Sequence, residues 1–200
     1  MAPKNELYKK TQEAKKNASK HSDRKERINK FLVENQKNRG DAKRPMSSEI
    51  MTRWYRAPEI CLTEKLYDKS IDIWSMGVIL SEMLYCSTVY SKEPGFDSSK
   101  RFLFKGTSSF PLSPKENGIS ENDQLVKIMS IFPNLDIEKD LCFLLDDDSK
   151  KFTMKLYEEN KSKIKDLRSQ LPKSNPDLLD LLESMLEFNP FHRKTAMELL

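Results

Sequence analysis

The chain has 200 residues, with 35 Lys and Arg against 31 Asp and Glu for a net charge of +4, and that length suffices for one ordinary domain or two small ones. Three cysteines without a C-x-x-C pair and two separated histidines argue against a disulfide framework or a zinc site. No run approaches the roughly 18 apolar residues of a spanning helix, and MAPKNELYKK lacks an apolar signal core, so a soluble, reducing, cytoplasmic or nuclear setting is expected.

The charge is unevenly placed. Residues 1–48 hold 14 Lys and Arg against 6 Asp and Glu, which leaves the remainder net negative. From Glu6 to Lys43 helix-forming residues abound, yet only Ile28, Phe31, Leu32 and Val33 offer an apolar patch. A solvated, partly formed helix or a disordered arm is expected over residues 1–45, closed by Arg39-Gly40-Asp41 and Pro45. Next comes WYRAPEI, Trp54 to Ile60, and a loop leading to Ser70–Tyr85. That segment is apolar on nearly every face and predicts a helix buried all round. Residues 86–119 contain three prolines, three glycines and many serines, and read as a long loop contributing little core.

Ser120, with Asp123 three positions on, is expected to cap a helix carrying Leu125, Ile128, Met129 and Phe132. Further helices are predicted around Leu141–Leu145 and Phe152–Leu167. Asn175-Pro176 supplies a cap and a first-turn proline for a helix over Asp177–Glu187, which Asn189-Pro190 ends. Thr195 and Glu198 form a capping box for a last helix. The fold class is mainly α, without internal repeats.

Three landmarks follow one another along the chain: T-R-W-Y-R-A-P-E at Thr52–Glu59, D-I-W-S-M-G at Asp72–Gly77, and N-P-F-H-R-K-T-A at Asn189–Ala196. Their order and spacing resemble the C-terminal lobe of a eukaryotic protein kinase. Arg56 before Ala-Pro-Glu resembles the CMGC group of cyclin-dependent and mitogen-activated kinases. The resemblance spans residues 46–200 and implies an incomplete helical lobe without the N-lobe β-sheet, a fragment of a longer parent.

The resemblance also assigns roles. Glu59 and Arg193 are expected to form a buried ion pair, whose loss on one side would cost about 3–5 kcal/mol. Asp72 and Trp74 are structural, with Asp72 expected to be a buried carboxylate that accepts from catalytic-loop amides. Thr52, Arg53, Trp54, Tyr55 and Arg56 are expected to seat the substrate residue after the phosphoacceptor, with Arg56 suiting that seat to proline. Ser47 and Ser48 are the phosphorylation candidates for an upstream activating kinase; Glu49 stands where mitogen-activated kinases carry a phosphotyrosine, which favours a single-phosphate switch. Protein substrates with Ser/Thr-Pro are implied, and ATP and Mg as requirements of the parent.

Phosphoryl transfer needs a Gly-rich loop, a strand lysine, an Asp base with its Asn, and an Asp-Phe-Gly aspartate. The chain has no G-x-G-x-x-G and no D-F-G. His21-Ser22-Asp23-Arg24-Lys25 with Asn29 mimics a catalytic loop, but the arginine is displaced, the Asn falls one position late and the flanks are polar. No catalytic, cofactor-binding or metal residue is therefore assigned, and the chain alone is expected to be inactive. The arm reads as an expanded activation-loop insertion of the parent. The rival reading is a pseudokinase-like module that binds substrates or regulators without chemistry; against it, the resemblance implies that Ser70–Tyr85 packs on helices upstream of the catalytic loop, so that one of its faces is expected to be open to water in this chain. Nucleic-acid binding by the basic arm is a third reading, disfavoured by one aromatic in its first 30 residues. Asp146-Asp147-Asp148 reads as a solvated loop, and Cys61, Cys86 and Cys142 as buried small apolar residues.

Overall fold

The computed structural model describes residues 51–64, 67–110, 112, 119–144 and 146–200, all within one unit, Met46–Leu200. Expectations about the arm, Ser47, Ser48, Glu49 and the His21–Asn29 segment lie outside the described residues. Nine α-helical elements occur among those residues: α1 (Pro58–Cys61), α2 (Ser70–Tyr85), α3 (Thr88–Ser91), α4 (Gln124–Met129), α5 (Ile137–Asp140), α6 (Asp147–Asn160), α7 (Leu167–Gln170), α8 (Pro176–Met185) and α9 (Ala196–Leu199). No strand forms among the described residues, only an isolated parallel bridge between Ser108 and Asp123.

Helix α2 is the axis of the unit. Trp74, Val78 and Leu84 are buried along one side, and α8 packs against it. The approach depends on Gly77: a Cβ there would lie 2.9 Å from Leu186 Cδ2 and 3.0 Å from Met185 Cβ, closer than packed carbons stand. Burial all round, expected from composition alone, gives way on the opposite side to the open face that the family's packing implies for this chain. Asp72 is exposed, and Met76, Ile79 and Met83 are 56%, 49% and 65% exposed. Spacings of four, three and four residues put these positions on one stripe, so the carboxylate expected to be buried stands in water with three apolar neighbours on its own face. It sits in the first turn of α2, where a helix dipole favours negative charge.

The segment after α2 departs further from its expected loop. It holds α3 and a 3-10 turn over Ser98–Arg101, and it adds to the core: Phe104 is fully buried and stacks on Trp74 with centroids 5.6 Å apart. Tyr90 is buried as well, its hydroxyl accepting from the Lys173 backbone N–H at 2.8 Å. Turn-forming composition marked this segment as irregular but concealed two aromatics that fill the space beside α2.

The cap of helix α4 lies three residues later than predicted. The cap is Asp123, not Ser120; its Oδ1 accepts from Leu125 N at 3.0 Å, and Oδ2 accepts from Ser108 Oγ at 2.8 Å and Phe110 N at 2.9 Å. Three donors satisfy a carboxylate that is 1% exposed, as burial of a charge demands. Helix is absent over the described part of Leu141–Leu145, where the chain turns, and the helix expected from Phe152 starts instead at Asp147 and ends at Asn160. Asp146 explains the early start, because its side chain caps the backbone amides of Asp148 and Ser149. The acidic triplet is thus a helix start, not a loop.

Helix α8 opens as its sequence indicates, with Asn175 Oδ1 accepting from Asp177 N at 2.7 Å and Pro176 in the first turn. The capping box before α9 also forms, Glu198 Oε2 accepting from Thr195 N at 2.8 Å. Of the cysteines, Cys61 is buried, Cys142 partly so, and Cys86 is exposed; Cys86 follows the last residue of α2, where the helix runs out of the core.

Candidate substrate-seating site

The segment Met51–Cys61 is held differently along its length. Met51 lies in the left-handed region at φ 66°, a conformation that costs a non-glycine residue about 1–2 kcal/mol. Arg56 offsets this by folding back, its Nε donating to the Met51 carbonyl at 3.1 Å. Between them Arg53–Tyr55 makes one 3-10 turn, closed by Tyr55 N to Thr52 O at 3.0 Å. Thr52 itself is exposed.

The side chains of that turn are fixed from outside. Arg53 Nη1 donates to Thr107 O at 3.0 Å and Trp54 Nε1 to Gly106 O at 2.9 Å. Tyr55 Oη donates to Glu82 Oε1 at 2.7 Å, and this bond, with partial burial, raises the phenol above its ordinary pKa. Ser75 Oγ bonds to the Tyr55 carbonyl at 3.1 Å, tying the turn to α2. Gly106 has no room for a side chain, since a Cβ would lie 2.7 Å from Gln124 Cα.

Beyond Arg56 the chain is buried. Ala57, Pro58, Glu59, Ile60 and Cys61 form the inner end of the segment. Arg193 Nη1 and Nη2 grip Glu59 at 2.7 and 2.6 Å, with both side chains almost wholly buried. The other donors of Arg193 reach Glu187 O at 2.9 Å, Ser70 O at 2.9 Å and Phe188 O at 3.4 Å. All five guanidinium N–H groups thus have acceptors, and the plane lies 5.1 Å from the Trp74 ring centroid. Trp74 Nε1, by contrast, is buried without a partner among the described residues. Burial also pushes the Cys61 thiol up to about 12.

The structure therefore brings Thr52–Arg56, Glu59, Arg193 and Trp74 into one neighbourhood around the start of α2, with Asp72 on its outer face. Sequence reasoning did not single out Met51, Ser75, Glu82, Gly106 or Thr107. A methionine carries no sign of a left-handed backbone, and the two carbonyls that fix Arg53 and Trp54 belong to a segment without periodicity.

Comparison with known proteins agrees with this arrangement. The protein kinase domain family matches residues 23–200, a span that reaches back into the basic arm. Extracellular signal-regulated kinase 1 of Dictyostelium discoideum is 32% identical over 157 residues, which is 78% of this chain and 24% of that protein. Mitogen-activated protein kinase spk1 of Schizosaccharomyces pombe is 35% identical over 157 residues, 78% of this chain and 34% of its own length. Mitogen-activated protein kinase mpk-1 of Caenorhabditis elegans is 32% identical over 148 residues, 74% and 27% respectively. The chain spans about a quarter to a third of these relatives. With the buried Glu59–Arg193 pair and these similarities together, the chain belongs to the protein kinase family, in its mitogen-activated-kinase-like CMGC branch.

Proposed function

We propose that Thr52–Arg56 seats the residue following a Ser or Thr phosphoacceptor and that the residue selected is proline. The observation that carries this reading is the Arg56–Met51 bond. A substrate residue entering the seat brings a backbone N–H that must find an acceptor when water is displaced. The Met51 carbonyl at the seat's edge already accepts from Arg56 at 3.1 Å. Proline has no N–H to satisfy, so it enters without that penalty.

In the whole protein this seat would serve transfer of the ATP γ-phosphate to protein Ser/Thr-Pro sites, with Mg as the metal and an upstream kinase acting on Ser47 or Ser48. Among the described residues no three His, Cys, Asp or Glu side chains are grouped to hold a metal ion. On this reading the 200 residues present substrate and do not phosphorylate it. A non-catalytic substrate- or regulator-binding module is the second reading; the Arg53–Thr107 and Trp54–Gly106 bonds, made within the described residues, favour it, and the open Met76–Ile79–Met83 face of α2 counts against it. Magnesium-dependent phosphorylation of a Ser-Pro peptide by the chain alone would overturn both.

The direct test of the seat is fluorescence anisotropy with two labelled peptides that differ only in Ser-Pro against Ser-Ala. Ser-Pro is expected to bind about fivefold or more tightly, on the order of the cost of one unmet hydrogen bond. Arg56→Ala should bring the ratio toward one by freeing the Met51 carbonyl. Equal binding of the two peptides to the unaltered chain would sink the proposal.

A further inference from the structure

Next to the seat, two rings carry two cations. Trp54 and Phe102 lie with centroids 4.7 Å apart at 53°. The Arg101 guanidinium sits 4.0 Å from the Phe102 centroid. Lys105 Nζ stands to one side of this pair, 5.6 Å from the Trp54 centroid and 5.9 Å from the Phe102 centroid, at distances where the ring faces attract an ammonium. Because Gly106 O and Thr107 O are clamped by Trp54 and Arg53, the residue just before them is held in register with the seat.

The acids of this neighbourhood are already committed. Glu82 accepts from Tyr55 and lies 3.5 Å from Arg101 Nε, with its side chain 16% exposed. Asp97 caps the Ser98–Arg101 turn by accepting from Ser99 N at 2.9 Å; Lys100 and Lys105 contribute to holding its carboxyl below the usual range, after its bonds to Ser99. Lys105 is exposed and forms no ion pair among the described residues, and Arg53 Nε is buried without an acceptor there. Arg53, Lys100, Arg101 and Lys105 thus outnumber Glu82 and Asp97 beside a site that receives a peptide.

We propose that Lys105, poised over Trp54 and Phe102, is a specificity determinant that reads an acidic side chain flanking the Ser/Thr-Pro of the substrate. The proposal rests on the reading of Thr52–Arg56 as the substrate seat. The rings hold the ammonium at the rim of the seat while it stays exposed. A carboxylate arriving with the peptide then meets a cation that pays little further ordering entropy.

The test uses the full chain and four labelled peptides, Ser-Pro and Ser-Ala cores each with glutamate or lysine flanks, at low and high salt. With the Ser-Pro core, glutamate flanks are expected to bind about fivefold more tightly than lysine flanks at low salt, the upper end for an exposed ion pair, and the gap should narrow as salt is added. Lys105→Glu should abolish or reverse this ratio while the proline preference stays. Lys155→Glu, the same charge change on the exposed face of α6, should leave it unchanged. A ratio near one in the unaltered chain, or a ratio indifferent to Lys105→Glu, overturns the proposal while the seat reading stands. Loss of the proline preference in the unaltered chain removes the seat reading itself, and no binding by any peptide removes both.

Discussion

The two ends of Met51–Cys61 obey different rules. The outer end, Met51–Arg56, is half-buried or exposed, and single hydrogen bonds to Gly106, Thr107, Glu82 and its own Met51 carbonyl hold it. The inner end, Ala57–Cys61, is wholly buried and fixed by one ion pair in which every donor of Arg193 is used. On the proposed reading the site admits and releases a peptide, which needs a soft rim on a hard base. Net hydrogen bonds of about 1 kcal/mol each suit the rim, whereas a buried charge pair cannot be loosened halfway.

The sharpest way to break that contrast is at the base. Arg193→Met should destabilise the chain by about 3–5 kcal/mol, because Glu59 is left charged and alone in the core, and urea denaturation followed by far-UV circular dichroism will read the loss. Glu59→Gln with Arg193→Met should recover part of it, since the stranded charge is gone. An equally small effect for Arg193→Met and Arg56→Ala would erase the distinction between base and rim.

The Cys61 thiol probes the same base through pH. Its folded pKa, about 12, stands above the ordinary 9.0, so below about pH 9 both states keep the proton and the thiol contributes no pH dependence. Above 9 the unfolded thiol ionises first, the unfolded chain binds fewer protons, and stability falls by up to about 1.4 kcal/mol per pH unit until the folded thiol titrates. Cys61→Ala should remove that portion of the alkaline slope in urea titrations. In the native chain a thiol reagent should modify Cys86 quickly and Cys61 only on unfolding. A smaller effect is expected at the α2–α8 contact, where Gly77→Ala adds a methyl into contact with Leu186 and Met185. Overpacking of about 1–3 kcal/mol less a helix gain of about 1 leaves a net loss of about 1 kcal/mol, readable as a lowered urea midpoint.

What the sequence made legible follows the same divide. The limits of α2 match Ser70–Tyr85 because a long apolar run between turn signals has few alternatives. Asn175-Pro176 and the Thr195–Glu198 box were readable because a cap is local chemistry within four residues. Asp123 was misplaced as the third residue of a Ser120-capped turn, since its real donors Ser108 and Phe110 lie more than ten positions away in a segment without period. Which face of α2 is open was not legible in its composition for a related reason: hydrophobicity states what a face prefers, not which neighbour covers it. Met51 could not be read at all, because its backbone is set by an arginine five residues on.

The bond between Glu59 and Arg193 joins positions 134 apart. Closing a loop of that length costs about 4 kcal/mol of chain entropy beyond a constant, so the pair cannot nucleate folding and must wait until α2 and α8 have brought its ends together. It then works as a late-closing latch: its loss should accelerate unfolding while leaving the folding rate nearly untouched. The persistence in time of the proposed substrate seat should therefore depend on Arg193, 134 positions beyond Glu59.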